Sequence, residues 1–323
     1  MSSSKPAVLI FDSEAGRYAE GLAPLFPDLD FIATRTEAEA LAHAADSAIL
    51  VALAPFIPAS LIPNMPQLRW IQALTTGTDN LLYDTPALAP EVLITAVRGI
   101  HGPQMAELAI LYMLALSRDL RGLFALQAEA KWQRQPQRLL WGRRAVLVGV
   151  GSISEAVALR CKAFGMEVVG VSNRPRETPG FDRVLPRSSL VEAAATADFL
   201  VVLLPYVAEN HNTIDARVIG AMKPDAVLIN LARGRIVDED ALLVALQNNR
   251  LRGAGLDVFA TEPLPPDHPF WQCENAIVTS HIGGMSDIYA EQAMPTLIEN
   301  FRAYLAGRQD QMKNVIRAGG VIL

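Results

Sequence analysis

Near the middle of the chain lies the stretch Val146-Leu147-Val148-Gly149-Val150-Gly151-Ser152-Ile153-Ser154. Its apolar start predicts a buried strand, its glycines predict a tight turn, and the residues that follow predict a helix. In a dinucleotide site, the first glycine permits the turn. The second lets backbone N–H groups and the positive end of the helix reach a pyrophosphate, and the third position usually holds glycine or alanine. We therefore predict a dinucleotide site at Gly149, Gly151, Ser152 and Ile153, with an ordinary strand–helix turn as the alternative.

Predicted strands and helices alternate on both sides of this turn. Apolar runs of strand length lie at residues 7–11, 48–53, 68–74, 167–171, 199–204, 226–230, 255–259 and 276–279, with helix-period stretches between several of them. This alternation predicts α/β units with parallel sheets and helices on both faces. Residues 106–117 are apolar nearly all round and predict a buried helix. A last helix at about 287–305 is expected to return to the first unit.

The composition excludes several classes of protein. The chain has 323 residues with 34 acidic and 28 basic side chains, a net charge of −6, and 51% hydrophobic residues. It is long enough for about two domains and too apolar to be disordered. Its acidic balance argues against nucleic acid or an anionic membrane as a partner, and no apolar run approaches the ~20 residues of a membrane span. Cys161 and Cys273 lack metal-site spacing, and the first residues lack a secretory signal, so we predict a cytoplasmic protein without a metal.

The strand after the glycine turn ends in Ser172-Asn173-Arg174-Pro175-Arg176. An enzyme that uses NAD(H) normally has an acidic residue at the position of Ser172, where it binds the ribose 2′-hydroxyl. A carboxylate would repel a 2′-phosphate, whereas Arg174 and Arg176 would attract it. We therefore predict that NADP(H) is preferred, with NAD(H) as the alternative if both arginines are solvated loop residues.

Three chemically active side chains follow predicted strands, namely Arg233, Glu262 and His281. The carboxyl ends of parallel strands meet at one edge of a sheet, so these side chains could converge there. Together they would suit the reduction of a 2-oxo acid. Arginine would bind the substrate carboxylate, histidine would give a proton to the carbonyl oxygen, and glutamate would fix the histidine tautomer and favour its charged form. Taken singly, each residue also has an ordinary structural explanation as a surface, loop or satisfied polar residue.

At these residues the chain resembles the D-isomer-specific 2-hydroxyacid dehydrogenases. The similar segments follow in family order, and the set is far more specific than any one motif. They are residues 149–151 with 164–166, Leu203-Leu204-Pro205, residues 229–234 with 237–239 and 241–242, residues 255–259 with 262–264, and His281-Ile282-Gly283-Gly284.

This resemblance implies two Rossmann-like or flavodoxin-like parallel-sheet α/β domains with the active site in the cleft between them. Residues 1–98 and 287–323 would form the substrate-binding domain, and residues 99–286 the inserted dinucleotide-binding domain. The resemblance also implies catalytic roles for the arginine, glutamate and histidine, and a homodimer as the usual assembly. The resemblance further implies that the backbone at Thr76 and Gly77 binds the substrate carboxylate. It also implies that Pro205 contacts the cofactor and that Asp257 bonds to the nicotinamide carboxamide.

Some residues depart from the family pattern. Ser154 replaces the third glycine, Ser172 the acidic residue, Ser280 a proline and Asn210 a threonine. The second of these departures resembles the branch of glyoxylate and hydroxypyruvate reductases. We therefore predict an enzyme that reduces glyoxylate, hydroxypyruvate or a short-chain 2-keto acid to the D-2-hydroxy acid. The alternative is a non-catalytic protein of the same fold that senses a dinucleotide or binds a partner. Arg98 and His101 are further candidates for the substrate side, with a structural role as the equal alternative.

Overall fold

The computed structural model describes residues 5–83, 85 and 88–322, which divide into two compact units. Unit 1 comprises the described residues of Met1–Ile100 and Ser286–Leu323, and unit 2 comprises His101–Met285. Throughout the described part of the chain, every helix is too short or too polar to cross a membrane.

Strands and helices alternate along most of the chain, as the apolar pattern predicted. The strands are β1 (Ala7–Phe11), β2 (Asp30–Thr34), β3 (Ser47–Ala52), β4 (Trp70–Ala73), β5 (Leu93–Thr95), β6 (Arg144–Val148), β7 (Glu167–Ser172), β8 (Arg183–Pro186), β9 (Phe199–Val202), β10 (Val227–Asn230), β11 (Gly253–Leu256), β12 (Ala276–Val278), β13 (Val315–Ala318) and β14 (Val321–Ile322). The helices are α1 (Ala15–Leu22), α2 (Glu37–Ala44), α3 (Asp79–Tyr83), α4 (Gly102–Ser117), α5 (Leu120–Ala128), α6 (Ser152–Ala163), α7 (Leu190–Thr196), α8 (Ala216–Ala221), α9 (Glu239–Gln247) and α10 (Tyr289–Leu305).

Unit 1 is built on one sheet in the order β14-β13-β5-β4-β3-β1-β2. Strands β1 to β5 pair in parallel, and their order is that of flavodoxin-like folds. The apolar pattern predicted no strand after the last helix, whereas β13 and β14 extend the sheet in antiparallel pairing. The apolar pattern is weak there because β13 carries Arg317, whose guanidinium turns inward and donates to the backbone oxygens of Val92 and Ala89.

The C-terminal helix α10 packs on the sheet of unit 1, as predicted. Its buried stripe includes Ala293, Leu297 and Phe301, and these spacings place the three side chains on one helix face. A buried hydrogen bond of 2.8 Å from Asn300 Nδ2 to Gln72 Oε1 joins the helix to β4. Residues from both ends of the chain therefore share one core.

Unit 2 has a seven-stranded parallel sheet in the order β12-β11-β10-β9-β6-β7-β8. This is the strand order of dinucleotide-binding folds, in which the order reverses between β6 and β9 and ligands bind beyond the carboxyl ends of these strands. Helix α4 lies buried against the sheet, and Tyr112 is fully buried there. A Cβ atom at Gly255 of β11 would lie 2.5 Å from the Tyr112 ring, so glycine allows this close packing. The predicted α/β architecture of both units is confirmed.

Candidate functional site

The glycine turn after β6 has the backbone that its sequence predicts. Gly149 has a φ of 102°, a region that side-chain-bearing residues rarely adopt. Its N–H donates to Val171 O at 2.9 Å. A Cβ atom there would lie 2.9 Å from the backbone oxygen of Leu203 after β9. Glycine thus lets the chain turn away between the two strands where the strand order reverses.

Helix α6 begins directly after Gly151, and open space lies where a Cβ atom of that glycine would stand. Ser152 and Ile153 are the first residues of the helix, so their N–H groups have no carbonyl one turn earlier to bond. Ser154 is buried, and its hydroxyl accepts from Gly151 N–H at 2.7 Å and donates to Gly151 O at 2.8 Å. The serine at the third position therefore closes the first turn of the helix, which explains how this departure is accommodated.

A cavity of about 460 Å³ opens in front of this helix end within unit 2. Its volume lies in the range of small-molecule and cofactor sites. Five of the predicted cofactor residues line it, and they are Gly149, Gly151, Ser172, Asn173 and Pro205. The structure thus gathers residues from the ends of β6, β7 and β9 around one cavity that suits a nucleotide.

Arg187 also lines this cavity, although no sequence pattern predicted a role for it. It follows β8, whose last residue Pro186 pairs with Ser172. Its guanidinium donates to the side chain of Asn210, to Glu209 O at 3.1 Å, and to the Thr213 hydroxyl at 2.6 Å. A single arginine after an unrecognised edge strand carries no signal in the sequence, so only the pairing of β7 with β8 reveals it.

The predicted cofactor-selecting residues lie at the end of β7. Ser172 Oγ accepts from the backbone N–H of Arg174 at 3.2 Å and so shapes the turn. The Arg174 side chain is exposed and forms no ion pair with any described residue. Arg176 Nη2 lies 3.9 Å from Glu155 Oε1, and both of these side chains are at least 36% exposed. Such an exposed ion pair contributes little to stability, so neither arginine is held strongly by other residues of the protein.

Arg233 follows β10 on a turn that depends on a glycine. Asn230 Oδ1 accepts from Ala232 N–H at 3.1 Å, and Asn230 Nδ2 donates to Arg233 O at 3.1 Å. A Cβ atom at Gly234 would lie 1.8 Å from the carbonyl carbon of Phe259. Only glycine therefore allows the turn that carries Arg233 to lie against the segment that leads from β11 to the glutamate.

Glu262 and His281 form a close pair. Nδ1 of His281 lies 2.7 Å from Oε2 of Glu262, and Glu262 Oε1 accepts from Phe259 N–H at 2.9 Å. Burial raises the pKa of Glu262, but the hydrogen bonds from His281 and Phe259 and the charge of Arg233 outweigh it. The pKa of the carboxyl group is therefore below its usual value. The glutamate is ionised at neutral pH and fixes the histidine with Nε2 directed away from it.

The backbone at His281 is held by Asp257. His281 has a φ of 55°, and its N–H donates to Asp257 O at 2.8 Å. The Asp257 carboxylate is 1% exposed and accepts from the Thr279 hydroxyl, from Ile282 N–H at 2.9 Å and from Gly283 N–H at 2.8 Å. The structure thus places Asp257 beneath the histidine loop, with bonds from its own chain on both carboxylate oxygens.

The remaining predicted residues belong to the segment after β4 and to the segment before α4. Thr76 and Gly77 follow β4 in unit 1, where Thr76 Oγ1 donates to Val97 O at 3.1 Å. His101 precedes α4 and is buried, whereas Arg98 is exposed. Among the described residues no group of three histidine, cysteine or acidic side chains could hold a metal ion.

Comparison with known proteins identifies the family. Residues 110–283, more than half of the chain, match the family described as "D-isomer specific 2-hydroxyacid dehydrogenase, NAD binding domain". The D-3-phosphoglycerate dehydrogenase of Mycobacterium tuberculosis is 31% identical over 330 residues, covering 99% of this chain and 60% of that protein. The chain therefore spans about three-fifths of the length of this relative.

Solved structures agree with this match. A D-isomer specific 2-hydroxyacid dehydrogenase family protein from Aeromonas salmonicida is 32% identical, with a TM-score of 0.88 over 97% of this chain and 99% of that chain. An NADPH-dependent glyoxylate/hydroxypyruvate reductase from Sinorhizobium meliloti is 27% identical, with a TM-score of 0.78 over 96% of this chain and 97% of that chain. As the resemblance of its motifs predicted, the chain belongs to the D-isomer specific 2-hydroxyacid dehydrogenase family.

Proposed function

We propose that this protein is an NADP(H)-dependent reductase that converts a small 2-oxo acid into the D-2-hydroxy acid. Glyoxylate, hydroxypyruvate and other short-chain 2-keto acids are the proposed substrates. The single observation that carries the proposal is the 2.7 Å contact between His281 Nδ1 and Glu262 Oε2. A carboxylate held on one imidazole nitrogen leaves the other nitrogen to exchange a proton with a substrate, which is the arrangement of a general acid.

The residues around the cavity of unit 2 fit a dinucleotide. Gly151 leaves open space before α6, so a pyrophosphate could reach the N–H groups of Ser152 and Ile153. Asn173, Arg174 and Arg176 would surround a 2′-phosphate, and no carboxylate at the position of Ser172 would repel it. NADPH, when bound, would supply the hydride that reduces the carbonyl carbon. The solved reductase from Sinorhizobium meliloti is likewise described as NADPH-dependent.

The chain's own residues would handle the proton and the substrate charge. His281 Nε2 would give its proton to the carbonyl oxygen as the carbonyl carbon is reduced, and would take it back in the reverse reaction. Ionised Glu262 would stabilise the charged imidazole in the proton-loaded state. Arg233 would bind the substrate carboxylate through two parallel N–H···O bonds, and the backbone at Thr76 and Gly77 would add further donors. On this proposal unit 1 binds the substrate and unit 2 binds the dinucleotide.

We also propose a homodimer joined through unit 2. Large apolar side chains of α4, α5, α6 and the following loops are at least 41% exposed. A second copy of the chain would cover them, as the family resemblance implies. They are Leu111, Phe124, Trp132, Leu139, Trp141, Leu159 and Phe164.

The test is an NADPH-oxidation assay with a panel of 2-oxo acids. Glyoxylate, hydroxypyruvate and pyruvate should be reduced faster than 3-phosphohydroxypyruvate, which is included because a relative is named for the phosphorylated substrate. No absorbance loss with any acid would refute the reductase proposal and favour a dinucleotide-sensing or partner-binding protein. The same assay with NADH tests the cofactor, and equal efficiency with both cofactors would contradict the proposed preference.

A further inference from the structure

A buried chain of hydrogen bonds runs from helix α4 to the loop that carries His281. We propose that Tyr112 and Thr279 are positioning residues for His281 and act on it through Asp257. The inference rests on the proposed function, because His281 is the proton donor of that reaction.

The direction of each hydrogen bond in this chain follows from donor counting. Thr279 Oγ1 donates to Asp257 Oδ1, and the Tyr112 hydroxyl lies 2.5 Å from the same Thr279 oxygen. A threonine hydroxyl has one hydrogen, which is used on the carboxylate, so Tyr112 must be the donor to Thr279. Burial raises the pKa of Tyr112 and keeps its proton in place. Tyr112 therefore donates to Thr279, and Thr279 donates to Asp257.

Asp257 connects this chain of hydrogen bonds to the histidine loop. Its two carboxylate oxygens accept from the N–H groups of Ile282 and Gly283, at 2.9 and 2.8 Å, and its backbone oxygen accepts from His281 N–H at 2.8 Å. Asp257 therefore holds the backbone of His281 and of the two residues after it. This matters because His281 has a φ of 55°, an unfavourable conformation that persists only when its surroundings enforce it.

Loss of the Thr279 hydroxyl would disturb this arrangement without touching the reacting groups. Valine has nearly the same shape as threonine but would leave the Tyr112 hydroxyl and one Asp257 oxygen without this partner in a buried place. The carboxylate would shift towards other donors, and the loop would lose part of the restraint on the His281 backbone. The histidine ring would then align poorly with Glu262 and with the substrate, and small misplacements of this kind can cost up to about 100-fold in rate.

Three variants test the inference, with one matched control. Thr279→Val and Tyr112→Phe each remove a hydroxyl from the chain, whereas Thr279→Ser keeps it. Ser117→Ala serves as the control, because the Ser117 hydroxyl is also buried on α4 but bonds to no described residue. The measurements are kcat and KM for the best 2-oxo acid, the Kd of NADPH by fluorescence, and the NMR signal of the His281 Nδ1–H proton.

We expect Thr279→Val to lower kcat by about ten- to a hundredfold and Tyr112→Phe by a smaller factor, with the Kd of NADPH within about twofold of wild type. Thr279→Ser and Ser117→Ala should keep nearly full kcat. Only Thr279→Val and Tyr112→Phe should weaken the Nδ1–H signal of His281. An unchanged kcat in a folded Thr279→Val or Tyr112→Phe protein would overturn the inference. A raised Kd with unchanged kcat would instead assign Asp257 to the nicotinamide carboxamide, and this also overturns it.

If wild type reduces none of the acids, the proposed function is refuted, but the positioning role can still be tested. The Nδ1–H signal can still be compared in that case, because it needs no turnover. A signal that persists in both hydroxyl-deleted variants would then contradict the positioning role, and its loss in both would support it. If Thr279→Val does not fold, Tyr112→Phe decides between the same outcomes.

Discussion

Mild acid should destabilise the folded protein through His101. This histidine precedes α4 and is 6% exposed, and burial lowers its pKa from 6.5 to about 4. In the unfolded chain the imidazole takes up a proton near pH 6.5, whereas in the folded protein it stays neutral until about pH 4. The unfolded state therefore binds more protons between these values, so the free energy of unfolding falls as the pH falls.

The size of the effect follows from the two pKa values. Each pKa unit corresponds to about 1.4 kcal/mol, so the full contribution below pH 4 would be about 3 kcal/mol. Between about pH 7 and about pH 5.5, His101 alone should remove about 1 kcal/mol from the free energy of unfolding. This is a measurable fraction of the ~5–15 kcal/mol that typical domains possess.

Urea unfolding of wild type and His101→Gln at both pH values measures this contribution. The carboxyl groups of the chain titrate in both proteins, so the difference between the two proteins isolates the histidine. On acidification, the free energy of unfolding should fall by about 1 kcal/mol more in wild type than in the variant. Equal losses, or a smaller loss in wild type, would show that His101 takes up a proton as readily in the folded protein as in the unfolded chain.

Further predictions concern the site, the cofactor and the assembly. Gly234→Ala should lower stability by about 2–3 kcal/mol and reduce activity, because its Cβ atom would overlap the backbone at Phe259; unchanged thermal unfolding and kcat would contradict this. Ser172→Asp should raise the KM for NADPH more than the KM for NADH, and a parallel change in both would refute the assigned role. Trp132→Ser, at a side chain that is 90% exposed, should shift the protein towards monomer in light scattering at low concentration; an unchanged mass would argue against this surface as the dimer contact.

Much of the fold could be predicted from the sequence because parallel strands buried on both faces leave continuous apolar runs. The run at 145–148 followed by Gly149 and Gly151 is such a case, since strand, turn and helix each have a local signal. The last helix was expected to return to the first unit, and in the structure the apolar stripe of α10 packs there. The rule that the carboxyl ends of parallel strands share an edge indicated that Glu262 and His281 could converge, and the family resemblance implied the same pairing.

Other features depend on contacts between distant segments and leave no local pattern. Strand β13 contains an arginine whose guanidinium donates to backbone oxygens 225 and 228 residues earlier in the chain. Arg187 reaches the nucleotide cavity only because β8 pairs with β7. Tyr112 looked like one more apolar residue of a buried helix, and its bond to Thr279 spans 167 positions. Tertiary hydrogen bonds of this kind cannot be read from periodicity.

We propose that His281, held by Glu262, transfers the proton while Arg233 binds the substrate carboxylate. The most direct measurement is the steady-state reduction of the best 2-oxo acid by wild type, His281→Ala and Arg233→Ala. We predict that His281→Ala lowers kcat by about 100-fold or more with NADPH binding retained, and that Arg233→Ala mainly raises the KM for the acid. Normal turnover in His281→Ala would contradict this role of the histidine.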